Sequence, residues 1–341
     1  MPSTTGGENT KIRAAVLEAP GKFSVQNVPR PALAAHEVLV RIAYTGICGS
    51  DFPIVDGIHP RATLPLVPGH EMAGIVEESG DGELPNGTVV AVNPLLSCGG
   101  CGACARGLPH ICRNLRLLGI DAPGSMAELM AVPSASLFPL PAGTPLKEAV
   151  LAEPLAVAVH AIRRSRLVSG ESALIFGAGP IGLLIGLVAR HIGASVTLVE
   201  PNDRRREAVE ALGMPAITPN AAPVARALRD DVADVVFDCA GHRTVTPLLT
   251  EATPVRGRIV IVAVHHGPSE VDLRELAFAE QEIIGVRVYE RRDFSESVRL
   301  IGAGLLPVGA VPISEYPLES AMDAFSEACS GSGAVKVVIR S

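Results

Sequence analysis

Eighteen consecutive residues without a charge, 172–189, constrain this chain more than any other feature. A run of that length reaches the minimum for a membrane span. Glycines at 177, 179, 182 and 186 interrupt it, Pro180 stands in its middle, and Arg190 and His191 follow at once. A buried strand running into a buried helix accounts for the same apolarity with the backbone polar groups paired inside a sheet and a helix. Residues 172–176 read as the strand, 177–182 as the turn and 181–191 as the helix, with Pro180 in its first turn and Gly193 at its end.

The turn also spells G-x-G-x-x-G. Its glycines permit a tight turn, let a pyrophosphate approach the backbone and let helix pack on strand, while the helix amino terminus attracts phosphate charge. Alone the pattern is weak. Here a second strand, Ser195–Val199, follows and ends in Glu200, eighteen positions after Gly182. The cofactor-binding set is then Gly177, Gly179, Pro180, Ile181, Gly182 and Glu200, with Arg205 beside them. An acid at the end of that strand accepts hydrogen bonds from the adenosine ribose and repels a 2′-phosphate, which favours NAD over NADP. Arg204, Arg205 and Arg206 pull the other way, because arginines there can hold a 2′-phosphate. Further strands at 234–238 and 258–264 alternate with helical stretches, as a doubly wound parallel sheet requires.

Four cysteines within fifteen residues, Cys98, Cys101, Cys104 and Cys112, form a C-x2-C-x2-C-x7-C run. With seven cysteines in 341 residues, chance does not gather four there. Four thiolates at this spacing suit a closed tetrahedral zinc cage, which is structural because no position is left for a substrate. Residues 1–10 show no basic start followed by an apolar core, so nothing routes the chain to an oxidising compartment, and a cytoplasmic location is expected. At 48% apolar and 19% charged the chain can bury a large core and divide into two domains. A net charge of -7 with no long basic block argues against nucleic acid or an anionic membrane as partner.

Other residues of metal-binding type lie in the first half, each beside glycine: Cys48, Ser50 and Asp51 in Gly-Ile-Cys-Gly-Ser-Asp, and His70 and Glu71 in Pro-Gly-His-Glu. Glu153 is a carboxylate in an otherwise apolar stretch, costly to bury unless paired or metal-bound. Singly each has an ordinary reading: Cys48 as core filler, His70 as a turn histidine, Ser50 as a loop serine bonded to backbone, Glu71 and Glu153 as partners of arginines.

Taken in order, Gly-x-Cys-Gly-Ser-Asp, Gly-His-Glu, the four-cysteine run, Glu-Pro-Leu-Ala-Val and Gly-x-Gly-x-x-Gly resemble the zinc-dependent medium-chain dehydrogenases from about residue 11 to the carboxyl end, most closely the sorbitol, butanediol and sugar-acid branch. The resemblance implies a GroES-like β-rich catalytic domain over 1–157 with a zinc lobe at about 94–116, a Rossmann domain over 158–290, and a return to the first domain over 291–341, where 335–339 would be a closing strand. It implies two zinc ions per subunit, NAD, a small-molecule secondary alcohol as substrate, and a homodimer or homotetramer. Cys48, His70 and Glu71 would hold a catalytic zinc, Glu153 would bind it or its water, and Ser50 would take the substrate proton. Asp51 reads as structural, paired with an arginine.

The chain also departs from the family. Relatives often carry a histidine five residues after the ligand cysteine; here that residue is Pro53, with His59 a possible substitute in the relay. Sorbitol dehydrogenase has arginine at what is Val288 here, and Arg287, with Arg291 or Arg292 nearby, becomes a candidate for a substrate carboxylate or phosphate. Cys239 reads as core that could line the nicotinamide pocket, and His265 and His266 follow a strand near the expected cofactor. The rival functions are a zinc-free quinone or enone reductase of the same fold and a nucleotide-binding sensor without turnover.

Overall fold

The computed structural model describes residues 10–219, 233–265, 267–331 and 334–341; residues 1–9 and His266 lie outside them. In chain order the strands are β1 (Lys11–Ala19), β2 (Lys22–Pro29), β3 (Glu37–Gly46), β4 (Glu71–Ser79), β5 (Val89–Val92), β6 (Leu95–Leu96), β7 (Arg116–Leu117), β8 (Leu129–Pro133), β9 (Leu137–Pro139), β10 (Ser172–Phe176), β11 (Ser195–Val199), β12 (Ala216–Ile217), β13 (Val235–Asp238), β14 (Arg258–Ile261), β15 (Glu282–Gly285), β16 (Ile313–Pro317) and β17 (Lys336–Arg340). They fall into two compact units. Among the described residues no helix is long and apolar enough to cross a membrane.

The first unit comprises residues 1–153, 301–303 and 313–341. Its main sheet runs β16-β17-β3-β4-β5-β9, with β8 also on β3, and a β1–β2 hairpin and a short β6–β7 pair stand apart. Successive residues of a strand face opposite sides. On β3 this sends Val38, Val40 and Ile42 into a cluster with Met72, Val76, Val90 and Val92, while Leu39 joins Ile12, Ala14, Val16 and Leu129 on the other side. β17 closes the unit by pairing antiparallel with the end of β3, Val338 opposite Gly46, and Gly46 is also opposite Glu71 of β4.

The second unit comprises residues 154–300 and 304–312. Its six strands are all parallel in the order β12-β11-β10-β13-β14-β15, two halves reversing at β10. β10 is followed by the helix Pro180–His191, whose Leu183, Leu184, Ile185, Leu187 and Val188 are buried, so the uncharged run is a core strand and a core helix. Each such side chain contributes about 1.5–3 kcal/mol on burial.

The unit boundaries differ from the expected 157 and 290. The helix Ala152–Ser165 begins at the first boundary and lies almost wholly in the second unit, and the helix Arg291–Gly302 belongs mostly there too. Side chains join the two helices: His160 Nδ1 lies 2.7 Å from Asp293 Oδ2, and Arg163 reaches Asp293 Oδ1 at 2.7 Å and Glu290 Oε1 at 2.6 Å. Burial alone would raise the Asp293 pKa, but hydrogen bonds from Arg163 and His160 outweigh it and hold the carboxyl well below its usual range.

Candidate metal centres and dinucleotide loop

The four cysteines of the lobe converge. Their sulfurs all lie within 4.8 Å of one another, with Cys112 3.3 Å from Cys98 and 3.8 Å from Cys101, and Cys101 3.6 Å from Cys104. Four sulfurs at about 2.3 Å from one ion would stand roughly 3.8 Å apart, so the lobe fits a tetrahedral cation. Backbone amides of Cys104 and Arg113 pull the Cys101 thiol down to about 6, while burial and the neighbouring thiols push Cys104 up to about 11. An ion at the centre would hold all four as thiolates.

The second centre is assembled from distant segments. Cys48 stands just past the end of β3, His70 just before β4 and Glu71 at its start; one ligand atom of each lies within 4.8 Å of the others, and His70 and Glu71 are buried. Thiolate, imidazole and carboxylate together fit zinc. Each is held by a neighbour. Asp51, wholly buried, accepts from Cys48 N at 2.9 Å and places Oδ1 3.1 Å from His70 Nδ1, which leaves Nε2 as the ligating atom. Asp51 therefore pairs with a histidine and not, as expected, with an arginine. Burial works against a charged His70, yet Asp51 and Cys48 hold its pKa well above the imidazole range. Ser50, exposed, donates to Cys48 Sγ at 3.3 Å.

Sequence reasoning missed Lys336. It is 2% exposed, forms an ion pair with Glu71 Oε2 and donates to Ile47 O at 2.8 Å. Burial opposes its charge, but Glu71, Cys48 and Glu153 together raise its pKa above the lysine range. A lysine inside the apolar Val-Lys-Val-Val-Ile segment was the available signal, since a buried ammonium needs a counter-charge. Glu153 is buried and near enough to act on Lys336, but it is not among the three ligands that converge.

The glycine loop has the expected form. Gly177 has φ +97°, a Cβ on Gly182 would sit 1.9 Å from Gly177 O, and a Cβ on Gly179 would meet nothing within 4 Å, projecting into the open space a pyrophosphate needs. Glu200 lies beside it, 3% exposed, accepting from Ala178 N at 2.7 Å and Asn202 N at 3.0 Å. Arg205 Nη1 is 4.0 Å from Glu200 Oε2, and Arg206 is tied to Glu200 O and Pro201 O. Pro180 and Ile181 open the helix Pro180–His191.

Three other residues singled out in the sequence have the following surroundings. His59 Nδ1 accepts from Arg61 N and Ala62 N, so the neutral ring carries its proton on Nε2. Arg287 is exposed and makes no hydrogen bond or ion pair with a described residue, whereas Arg292 pairs with Glu290 at 2.9 Å. Burial and Asp238 keep the Cys239 thiol far above its ordinary pKa.

Residues 34–142 match the alcohol dehydrogenase GroES-like domain and residues 180–303 the zinc-binding dehydrogenase domain. The chain is 40% identical to 2-dehydro-3-deoxy-L-galactonate 5-dehydrogenase of Pseudoalteromonas atlantica over 89% of this chain and 91% of that protein. A zinc-binding dehydrogenase from Sinorhizobium meliloti bound to NADP superposes with TM-score 0.91 at 30% identity, covering 98% of this chain and all (100%) of that one. An alcohol dehydrogenase from Escherichia coli complexed with NADH gives TM-score 0.88 at 27% identity, covering 98% and 100%.

Proposed function

Because the chain belongs to the zinc-type medium-chain dehydrogenases, in the polyol and sugar-acid branch, and is thus an oxidoreductase of secondary alcohols, we propose that its substrate is a sugar-acid-like hydroxy acid and its cofactor NAD. The observation that carries the reading is the convergence of Cys48, His70 and Glu71 beside an exposed Ser50. When bound, zinc supplies Lewis acidity toward an alcohol oxygen and the nicotinamide supplies a hydride acceptor.

The chain's own residues do the rest. Cys48, His70 and Glu71 would hold the metal, Asp51 fixes the His70 tautomer, and Lys336 holds Glu71 in place. Ser50 Oγ, exposed, accepts a hydrogen bond from the substrate hydroxyl; as it takes that proton its own O–H proton passes to water, so the serine relays one proton and stores none. Glu200 lies where the adenosine ribose would be held; its carboxylate, fixed by two backbone amides, repels a 2′-phosphate, which supports NAD. The exposed Arg287 is assigned to the substrate carboxylate. The four-thiol lobe supports a second, structural zinc and a reducing compartment, the cytoplasm. The edge strand β15, with Ile283, Leu273 and Phe278 exposed near the end of the chain's second sheet, supports a homodimer.

Metal analysis and a panel of sugar acids, neutral polyols and enones, assayed with NAD and NADP, test the reading. Two zinc ions per chain, oxidation of a sugar acid with NAD, and a KM for that acid raised about tenfold or more in Arg287→Ala are expected. Enone reduction by zinc-free protein would overturn it.

A further inference from the structure

One buried carboxylate ties together the two loops that leave β13 and β14. Asp238, the last residue of β13, is wholly buried. Its Oδ1 accepts from Ala240 N at 3.1 Å and Gly241 N at 2.9 Å, and its backbone O accepts from Val262 N at 3.0 Å and Ala263 N at 2.9 Å. Its Oδ2 meets His265 Nε2 at 2.9 Å, and His265 Nδ1 meets Ser269 Oγ at 3.2 Å. A carboxylate only accepts, so the imidazole proton sits on Nε2 and Ser269 donates to Nδ1. The loops touch: a Cβ on Gly241 would lie 2.9 Å from Ala263 Cβ. The first loop in turn abuts the glycine turn, where Cys239 N donates to Phe176 O at 2.9 Å and a Cβ on Gly177 would lie 3.2 Å from Ala240 N.

Between these anchors Val264 is 87% exposed, an apolar side chain held outward at the carboxyl end of the sheet. In a sheet of this order one half takes each mononucleotide, outside the carboxyl ends of the strands. Glu200 at the end of β11 marks the adenosine half, so β13 and β14 serve the nicotinamide half. We propose that His265 is a positioning residue: its bond to Asp238 locks residues 262–265 so that Val264 presents a fixed apolar surface to the nicotinamide ring. The inference rests on the nicotinamide-cofactor reading above.

ADP-ribose, which lacks the nicotinamide, separates the lock from general damage. NADH binding is followed by its fluorescence and ADP-ribose by displacement of NADH. In His265→Ala, the NADH Kd is expected to rise about tenfold while that of ADP-ribose stays within about twofold. His265→Gln, whose side-chain amide can still donate to Asp238, should return NADH to within about threefold of the parent, and Ser269→Ala should weaken it by no more than about threefold. Equal weakening of both ligands in His265→Ala, or none of either, overturns the lock while leaving the cofactor reading intact. A parent that binds neither NADH nor NADPH overturns both.

Discussion

The two candidate metal centres are built on opposite plans. The lobe draws four identical ligands from fifteen neighbouring residues, with Cys98 exposed and the run flanked in sequence by the two-residue strands β6 and β7. The other centre draws three unlike ligands from the ends of β3 and β4, and Asp51, Ser50 and Lys336 each hold one of them. A saturated cage needs little from the fold and organises its own loop, whereas an open site needs the sheet to bring its parts together and a surrounding layer to aim them.

If that contrast is right, removing a ligand should act on stability in one centre and on turnover in the other. Cys112→Ser should cost about 4 kcal/mol or more, because metal binding free energy is folding free energy for a local cage; thermal unfolding with zinc counted before and after reads it out. Cys48→Ser should lower kcat/KM roughly a thousandfold, about 4 kcal/mol of barrier, yet leave NADH affinity unchanged and the unfolding midpoint nearly so. A large drop in midpoint there would erase the distinction.

Lys336→Met sharpens it. Glu71 would be left buried beside an apolar side chain, and about 3 kcal/mol of stability should be lost, most of it recovered when Glu71→Gln is added. Additive losses measured by denaturant titration would mean the pair is not coupled. The smallest effect concerns the second unit. Because the folded-state pKa of Asp293 is depressed, its contribution is fully present above its unfolded value, about pH 4, and drains away as the pH falls through the folded one. Asp293→Asn should therefore flatten the acid limb of the stability profile; an unchanged slope below about pH 4 would contradict the ion-pair reading.

What could be read from the sequence follows the same division. β10, the glycine turn, β11 and Glu200 were legible because their signals are local, and so was the lobe. β14 stops at Ile261, three residues earlier than its apolar pattern suggests, because Val262 N and Ala263 N both turn to Asp238 O. Asp51 and Lys336 were misread or missed because their partners are 19 and 265 residues away, and no spacing rule links them. A long-range ion pair leaves only an odd residue type in an apolar run as its trace.

Gly46 carries a last consequence. A methyl group on its α-carbon would fall 2.2 Å from Glu71 Oε2 and 2.9 Å from Lys336 Cε, so the acid–base pair already fills the room a side chain would take. Any side chain at this one backbone position must therefore push the carboxylate end of Glu71 away from where it meets Lys336, so a saturation library selected for turnover should be enriched in glycine there.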